Sequence, residues 1–177
     1  MKTQILSIIL LLTYFISFSQ EKPETIELIS GRFFEKQWVE VGNIKNIDVS
    51  LFQRTNLETK EVFNTVALTY TSPSSSIYTS GKRFSNTIEL DEIDSFYEAL
   101  NYFESNYYNK VADNTTQLTY QCKGGFTVTF YATKGTSDWR VSLQFDKDFQ
   151  DGTTTISYNS FKLFAELLAR AKIMSQN

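Results

Sequence analysis

Hydrophobic and polar positions change period several times along this chain, and each change marks an element. Ile47, Val49 and Leu51 alternate with Asp48, Ser50 and Phe52, the two-residue period of a half-buried strand. Val62, Val66, Leu68 and Tyr70 share one face of a second strand over residues 60–71. Ser72-Pro73-Ser74-Ser75-Ser76 then reads as a turn, because proline fixes φ and serines supply local hydrogen bonds. A third strand is expected over about 77–90, interrupted at Ser80-Gly81 by a bulge or a turn.

The period next lengthens to 3.6. Ile93, Phe96, Tyr97, Leu100 and Phe103 form one stripe of an amphipathic helix. Asp91 is the expected N-cap, Glu92 and Asp94 complement the positive end of the helix dipole, and Asn106 suits a left-handed stop.

The second half repeats the plan. Leu118, Tyr120 and Cys122 alternate with Thr119 and Gln121, and Lys123-Gly124-Gly125 turns the chain. Phe126, Val128 and Phe130 return as the second arm of a β-hairpin. After the turn at 134–138, Trp139, Val141, Leu143 and Phe145 give a third strand, and 153–157 is extended. A helix over about 159–174 buries Phe161, Phe164, Ala165, Leu168 and Ala171, with Lys162, Glu166 and Arg170 outside.

The two helix entries align at an offset of 68. Ile88 meets Ile156, Ile93 meets Phe161, Phe96 meets Phe164 and Leu100 meets Leu168. Two readings stand: a duplicated meander-plus-helix unit over about 44–108 and 113–177, or the ordinary likeness of any strand that enters an amphipathic helix. Both give an α+β fold, antiparallel sheet with two amphipathic helices.

The N-terminus carries a different signal. Lys2 precedes an uncharged run over 5–18, which ends in Ser17-Phe18-Ser19. A charged start, a short apolar stretch and small residues at the cut describe a secretory signal, with cleavage expected between Ser19 and Gln20. The run is short of the roughly 20 apolar residues of a spanning helix. No cysteine stands at the cut, so the expectation is an exported periplasmic or extracellular protein that is not a lipoprotein and keeps no membrane anchor. Residues 20–177 are expected to form a single domain.

Composition narrows the function. The chain has no histidine and one cysteine, Cys122. Ser-His-Asp and Cys-His catalysis and His-containing zinc sites are therefore excluded, as is an internal disulfide. Fifteen Phe, ten Tyr and two Trp supply a core that stands without one. Beyond the signal, which carries Lys2 and no acid, 16 basic residues face 20 acidic ones, a net charge of −4. Nothing here resembles the positive footprint of a nucleic-acid or anionic-membrane binder.

With its short signal ending near Ser-Gln, few prolines and many Asn, Ser, Thr and aromatic residues, the chain resembles uncharacterised small exported proteins of Gram-negative bacteria. The repeated strands-then-helix plan resembles, in topology alone, the PC4 and whirly single-stranded-DNA binders. That likeness implies a fold and not an activity.

Four clusters invite chemistry. Asp146, Asp148 and Asp151 before Gly152 invite calcium, but the spacing is one residue longer than an EF-hand opening and Ser157 stands where the bidentate Glu belongs. A solvated acidic turn is the simpler reading. Tyr102, Tyr107 and Tyr108 interleave with Asn101, Asn106 and Asn109 as a glycan-binding patch would; the simpler reading packs the tyrosines under the following loop around a buried Phe103. Glu89, Asp91, Glu92 and Asp94 imitate a glycosidase carboxylate cluster, although capping accounts for three of them. Cys122, with apolar neighbours Leu118 and Tyr120, reads as a buried small hydrophobe. No catalytic, cofactor-binding or metal residue is assigned.

The expectation is a non-enzymatic binding or interaction domain of the cell envelope, with a protein or glycan partner. The alternative is a small hydrolase working on envelope polymers through carboxylates. Two carboxyl groups facing each other in a deep cleft would favour the second, and a sheet face left bare by both helices and rich in exposed aromatics the first.

Overall fold

The alternating stretches become two antiparallel meanders, and the two 3.6-period stripes become helices that tie them together. The computed structural model describes residues 25–29, 32–73, 81–148 and 150–176; the expected signal peptide, and the turn residues 74–80, lie outside them. Sheet A holds β1 (Thr25–Ile29), β2 (Arg32–Ile44), β3 (Ile47–Asn56), β4 (Val62–Thr71) and β5 (Arg83–Glu89), in that order. Helix α1 (Glu92–Asn106) follows. Sheet B holds β6 (Thr116–Gln121), β7 (Thr127–Ala132), β8 (Arg140–Gln144) and β9 (Thr153–Ser157), again in sequence order, and α2 (Tyr158–Met174) ends the chain. The α+β class follows directly.

The architecture is consistent with a duplicated unit, four strands and a helix, and the match runs deeper than the helices. In sheet A, Val66 lies opposite both Leu51 and Ile88; in sheet B, Val141 lies opposite both Phe130 and Ile156. All six are buried. The equivalent pairs are 68 residues apart at Ile88 and Ile156, 75 at Val66 and Val141 and 79 at Leu51 and Phe130, because the connections differ in length. Counted as four strands and a helix, the first unit would take in β2, a strand that the sequence pattern left out.

Each helix reaches across to the other unit's sheet. Helix α1 stacks Phe103 on Phe130 at 4.2 Å between ring centroids and sets Phe96 edge-on to Tyr120 at 5.6 Å. Helix α2 lies against β2, β3 and β4 while keeping Phe164 against Phe126 of sheet B. Its Leu167 sits over Gly42, beside the bulge between Glu40 and Gly42, where a Cβ would come within 2.8 Å of Leu167 Cδ2. One apolar core therefore draws on both sheets and both helices.

Two end signals differ from expectation. Asp91 holds the N-cap position, as expected, but has helical backbone angles and makes no side-chain capping bond, while Glu92 reaches back to accept from the Glu89 N–H at 3.1 Å. The left-handed residue is Asn109 (φ 62°), three positions past Asn106. Helix α2 is capped conventionally: Ser157 Oγ accepts from the Ser160 N–H at 3.2 Å.

Candidate functional site

With the helices on the inner side, the outer face of sheet A is left bare of both. Alternation puts Trp38 and Glu40 of β2, Asp48, Ser50 and Phe52 of β3, Ala67 and Thr69 of β4, and Arg83, Ser85 and Thr87 of β5 on this face, where they line a groove of about 910 Å³. That is the size of a small-molecule or oligomer site. At one end Trp38 and Phe52 are direct cross-strand partners, with rings 4.9 Å apart and tilted by 39°. Trp38 is 36% exposed, whereas Trp139 is 5% exposed in the core. One register step further, the Arg54 guanidinium lies 4.8 Å from the Phe34 ring centre and 5.2 Å from that of Phe63, which is 47% exposed. Both distances are within cation–π range, so each ring attracts that guanidinium.

Opposite the aromatic end, sheet B builds the wall. Its β6–β7 turn brings Gly124 against β5, so closely that a Cβ there would stand 2.6 Å from the Thr87 carbonyl oxygen. Asn86 Nδ2 donates to the Phe145 carbonyl at 2.9 Å, and Lys82 pairs with Asp151 at 2.7 Å. These contacts cover the β5 edge. Glu40 and Asp48 are exposed in the groove, and among the described residues their side chains make no hydrogen bond or ion pair.

The clusters marked in the sequence go elsewhere. Asp146 accepts from the Asp148 N–H at 2.9 Å while Asp151 is held by Lys82; among the described residues no three acidic or sulfur ligands gather around a point that could hold a metal. The carboxylate cluster is spent on joining elements. Asp91 pairs with Lys123 at 2.8 Å, and this hydrogen bond lowers the carboxyl pKa and raises that of the lysine. Asp94 pairs with Lys172 at 2.5 Å. Glu92 is buried and accepts from the Lys123 N–H at 2.6 Å as well as from Glu89. Glu89 stands exposed on β5.

At the end of α1, Phe103 is core, Tyr107 packs edge-on to Trp139, and Tyr108 lies 4.1 Å from Tyr158. The Tyr158 hydroxyl donates to Glu104 at 2.5 Å, and burial together with that carboxylate pushes its pKa far up. Of the three tyrosines Tyr102 alone stays exposed, at 59%, together with Asn101, Asn106 and Asn109. Cys122 is buried, and loss of water raises its pKa to about 12 with a smaller push from Glu92, so it is not a reactive thiol.

Sequence reasoning missed the groove because it missed β2. The signal was present: Phe34, Lys36, Trp38 and Glu40 alternate with Glu35, Gln37, Val39 and Val41, but aromatic and charged residues fall on both faces. No protein-family model matches the chain, and no curated protein matches it.

Proposed function

We propose that the protein is an exported, non-enzymatic binding domain of the cell envelope, with its ligand on the outer face of sheet A. The observation that carries this reading is the Trp38–Phe52 pair, which neither helix covers, continuous with Arg54 and Phe63, on a sheet whose other face is committed to the core. Exposed aromatics in such a row are unusual on a face with no role. Export is supported by the N-terminal residues alone: Lys2, the uncharged run and Ser17-Phe18-Ser19. No helix among the described residues is long and apolar enough to cross a membrane.

The groove also contains two carboxylates, Glu40 and Asp48, as the hydrolase alternative would need. Acid–base chemistry requires surroundings that drive two carboxyls apart, typically by burying one of them. Both are solvent-exposed, which favours binding over turnover.

Export is tested by sequencing the N-terminus of the product recovered from the periplasm or medium; Gln20 is the expected first residue. Binding is tested by passing envelope fractions over the immobilised mature protein and over a Trp38→Ala/Phe63→Ala variant of equal Tm. Material retained by the wild type and not by the variant supports the face as the site. Equal retention from every fraction overturns it, and release of new reducing ends from retained polymer would overturn the non-enzymatic reading.

A further inference from the structure

We infer that the groove on sheet A takes a neutral, polyhydroxylated chain, a glycan strand lying across β2 to β5. This rests on the binding face proposed above and names what binds there. Sugar rings present apolar C–H faces and rims of hydroxyls. The groove offers the complement of each: at one end the tilted Trp38–Phe52 pair forms an apolar platform, and beyond it Glu40 and Asp48 are free to accept from pairs of hydroxyls. Arg83 and Ser85 on β5 supply donors to ring and glycosidic oxygens. With strands about 4.8 Å apart, four of them give a track on the order of 14 Å, long enough for a short run of sugar rings.

Charge and geometry argue against the other occupants. A phosphate backbone would meet Glu40 and Asp48 in the groove of a chain whose formal net charge is −3. A peptide adding as a strand needs a free edge, and the β5 edge that closes this groove is covered by the Gly124 turn and by Asn86 on Phe145. A lipid chain would find hydroxyls at Ser50, Thr69, Ser85 and Thr87 where it needs an apolar wall. A ligand that is apolar on its faces, polar on its edges and uncharged fits all three constraints.

The experiment uses the mature protein carrying Trp139→Phe, so that Trp38 is the sole tryptophan and is excited selectively over the tyrosines, titrated with soluble neutral oligosaccharides (β-glucan, chitin, mannan and galactan fragments). The expected result is a saturable change in Trp38 emission with at least one of them. Glu40→Gln and Asp48→Asn should each weaken that binding by about tenfold, the effect of losing a charge-assisted acceptor, with Tm unchanged. Phe52→Ala should weaken it severalfold. An anionic polymer (heparin or single-stranded DNA) is expected to leave Trp38 unmoved. No response to any neutral glycan, together with envelope retention that depends on Trp38 but survives periodate, overturns the glycan assignment while leaving the binding face intact. If no envelope fraction is retained through Trp38 at all, both readings fall.

Discussion

The Tyr97 hydroxyl donates to the Ala165 carbonyl across the helix pair at 2.5 Å, and these two residues occupy the same position in the two units, 68 apart. A residue that touches its own counterpart is what an approximate two-fold between duplicated units would give, as at an isologous dimer interface. The helices meet there: α1 carries Phe96 and Phe103 to sheet B, while α2 lies against β2, β3 and β4 and keeps Phe161 and Phe164 on Phe130 and Phe126 of its own sheet. Carbonyls inside a helix already accept from the residue four positions on, so removing the hydroxyl strands no acceptor. Tyr97→Phe is therefore expected to cost about 1 kcal/mol, seen as a Tm lowered by roughly 2–4 °C for a chain of this size. An unchanged Tm would show that the contact adds nothing to the helix pairing.

The crossed helices make each unit dependent on the other. Without α2, sheet A loses the apolar cover of β2, β3 and β4; without α1, Phe130 and Tyr120 lose Phe103 and Phe96. Residues 20–110 and 111–177, expressed separately, are each expected to lack cooperative unfolding by circular dichroism, and an equimolar mixture to recover it. A fragment that folds alone would contradict the shared core.

Glu92 joins the start of α1 to the β6–β7 turn through two backbone N–H groups. Glu92→Ala leaves two partly buried donors without acceptors and is expected to cost about 2–4 kcal/mol. Glu92→Gln keeps one acceptor oxygen but turns an amide N–H toward the other donor, so it should lie between. Urea unfolding of the three proteins orders them.

Alkaline pH should loosen the fold. Burial raises Tyr97, Tyr120 and Cys122 above their ordinary values, the thiol from 9.0 to about 12. A raised acid holds its proton longer in the native state than in the unfolded one, so its contribution is complete below the unfolded value and is lost as pH climbs toward the native one. Stability is expected to be flat at neutral pH and to fall from about pH 9 upward. Cys122→Ala should shallow that slope, measured as unfolding free energy against pH; an identical slope would mean the thiol does not contribute.

How much of this was legible in the sequence depends on where periodicity and burial agree. Ile93, Phe96, Leu100 and Phe103 in α1, and Phe161, Phe164 and Leu168 in α2, face the core, so their spacing alone revealed both helices and the offset between them. β2 escaped because its outer face carries Phe34 and Trp38 where a solvent face would be polar, and because the bulge after Glu40 shifts the alternation. The candidate groove was lost with it. Asp91 looked like a cap because composition favours it there, but Lys123 of the other sheet takes its carboxylate, a partner 32 residues away that no local rule contains. The crossing of the helices is equally non-local. Matching stripes say that each helix has an apolar face, not which sheet it covers.

Two adjacent glycines in the β6–β7 turn separate packing from backbone conformation. Gly124 is pressed on β5, with the Thr87 carbonyl oxygen 2.6 Å and Asn86 Oδ1 3.0 Å from where a Cβ would stand, whereas Gly125 has φ 89° and open space around it. Gly125→Ala meets only the left-handed penalty, about 1–2 kcal/mol. Gly124→Ala must push the turn off a backbone atom that cannot yield, at a cost of about 1–3 kcal/mol. It should do something its neighbour does not. Because Gly124 walls the groove, its displacement should change the exposure of Thr87 and of the β5 edge, read by amide hydrogen exchange at residues 85–89. Faster exchange in Gly124→Ala and not in Gly125→Ala would show that sheet B closes this edge. Equal exchange in both would mean that the β5 edge is protected without it.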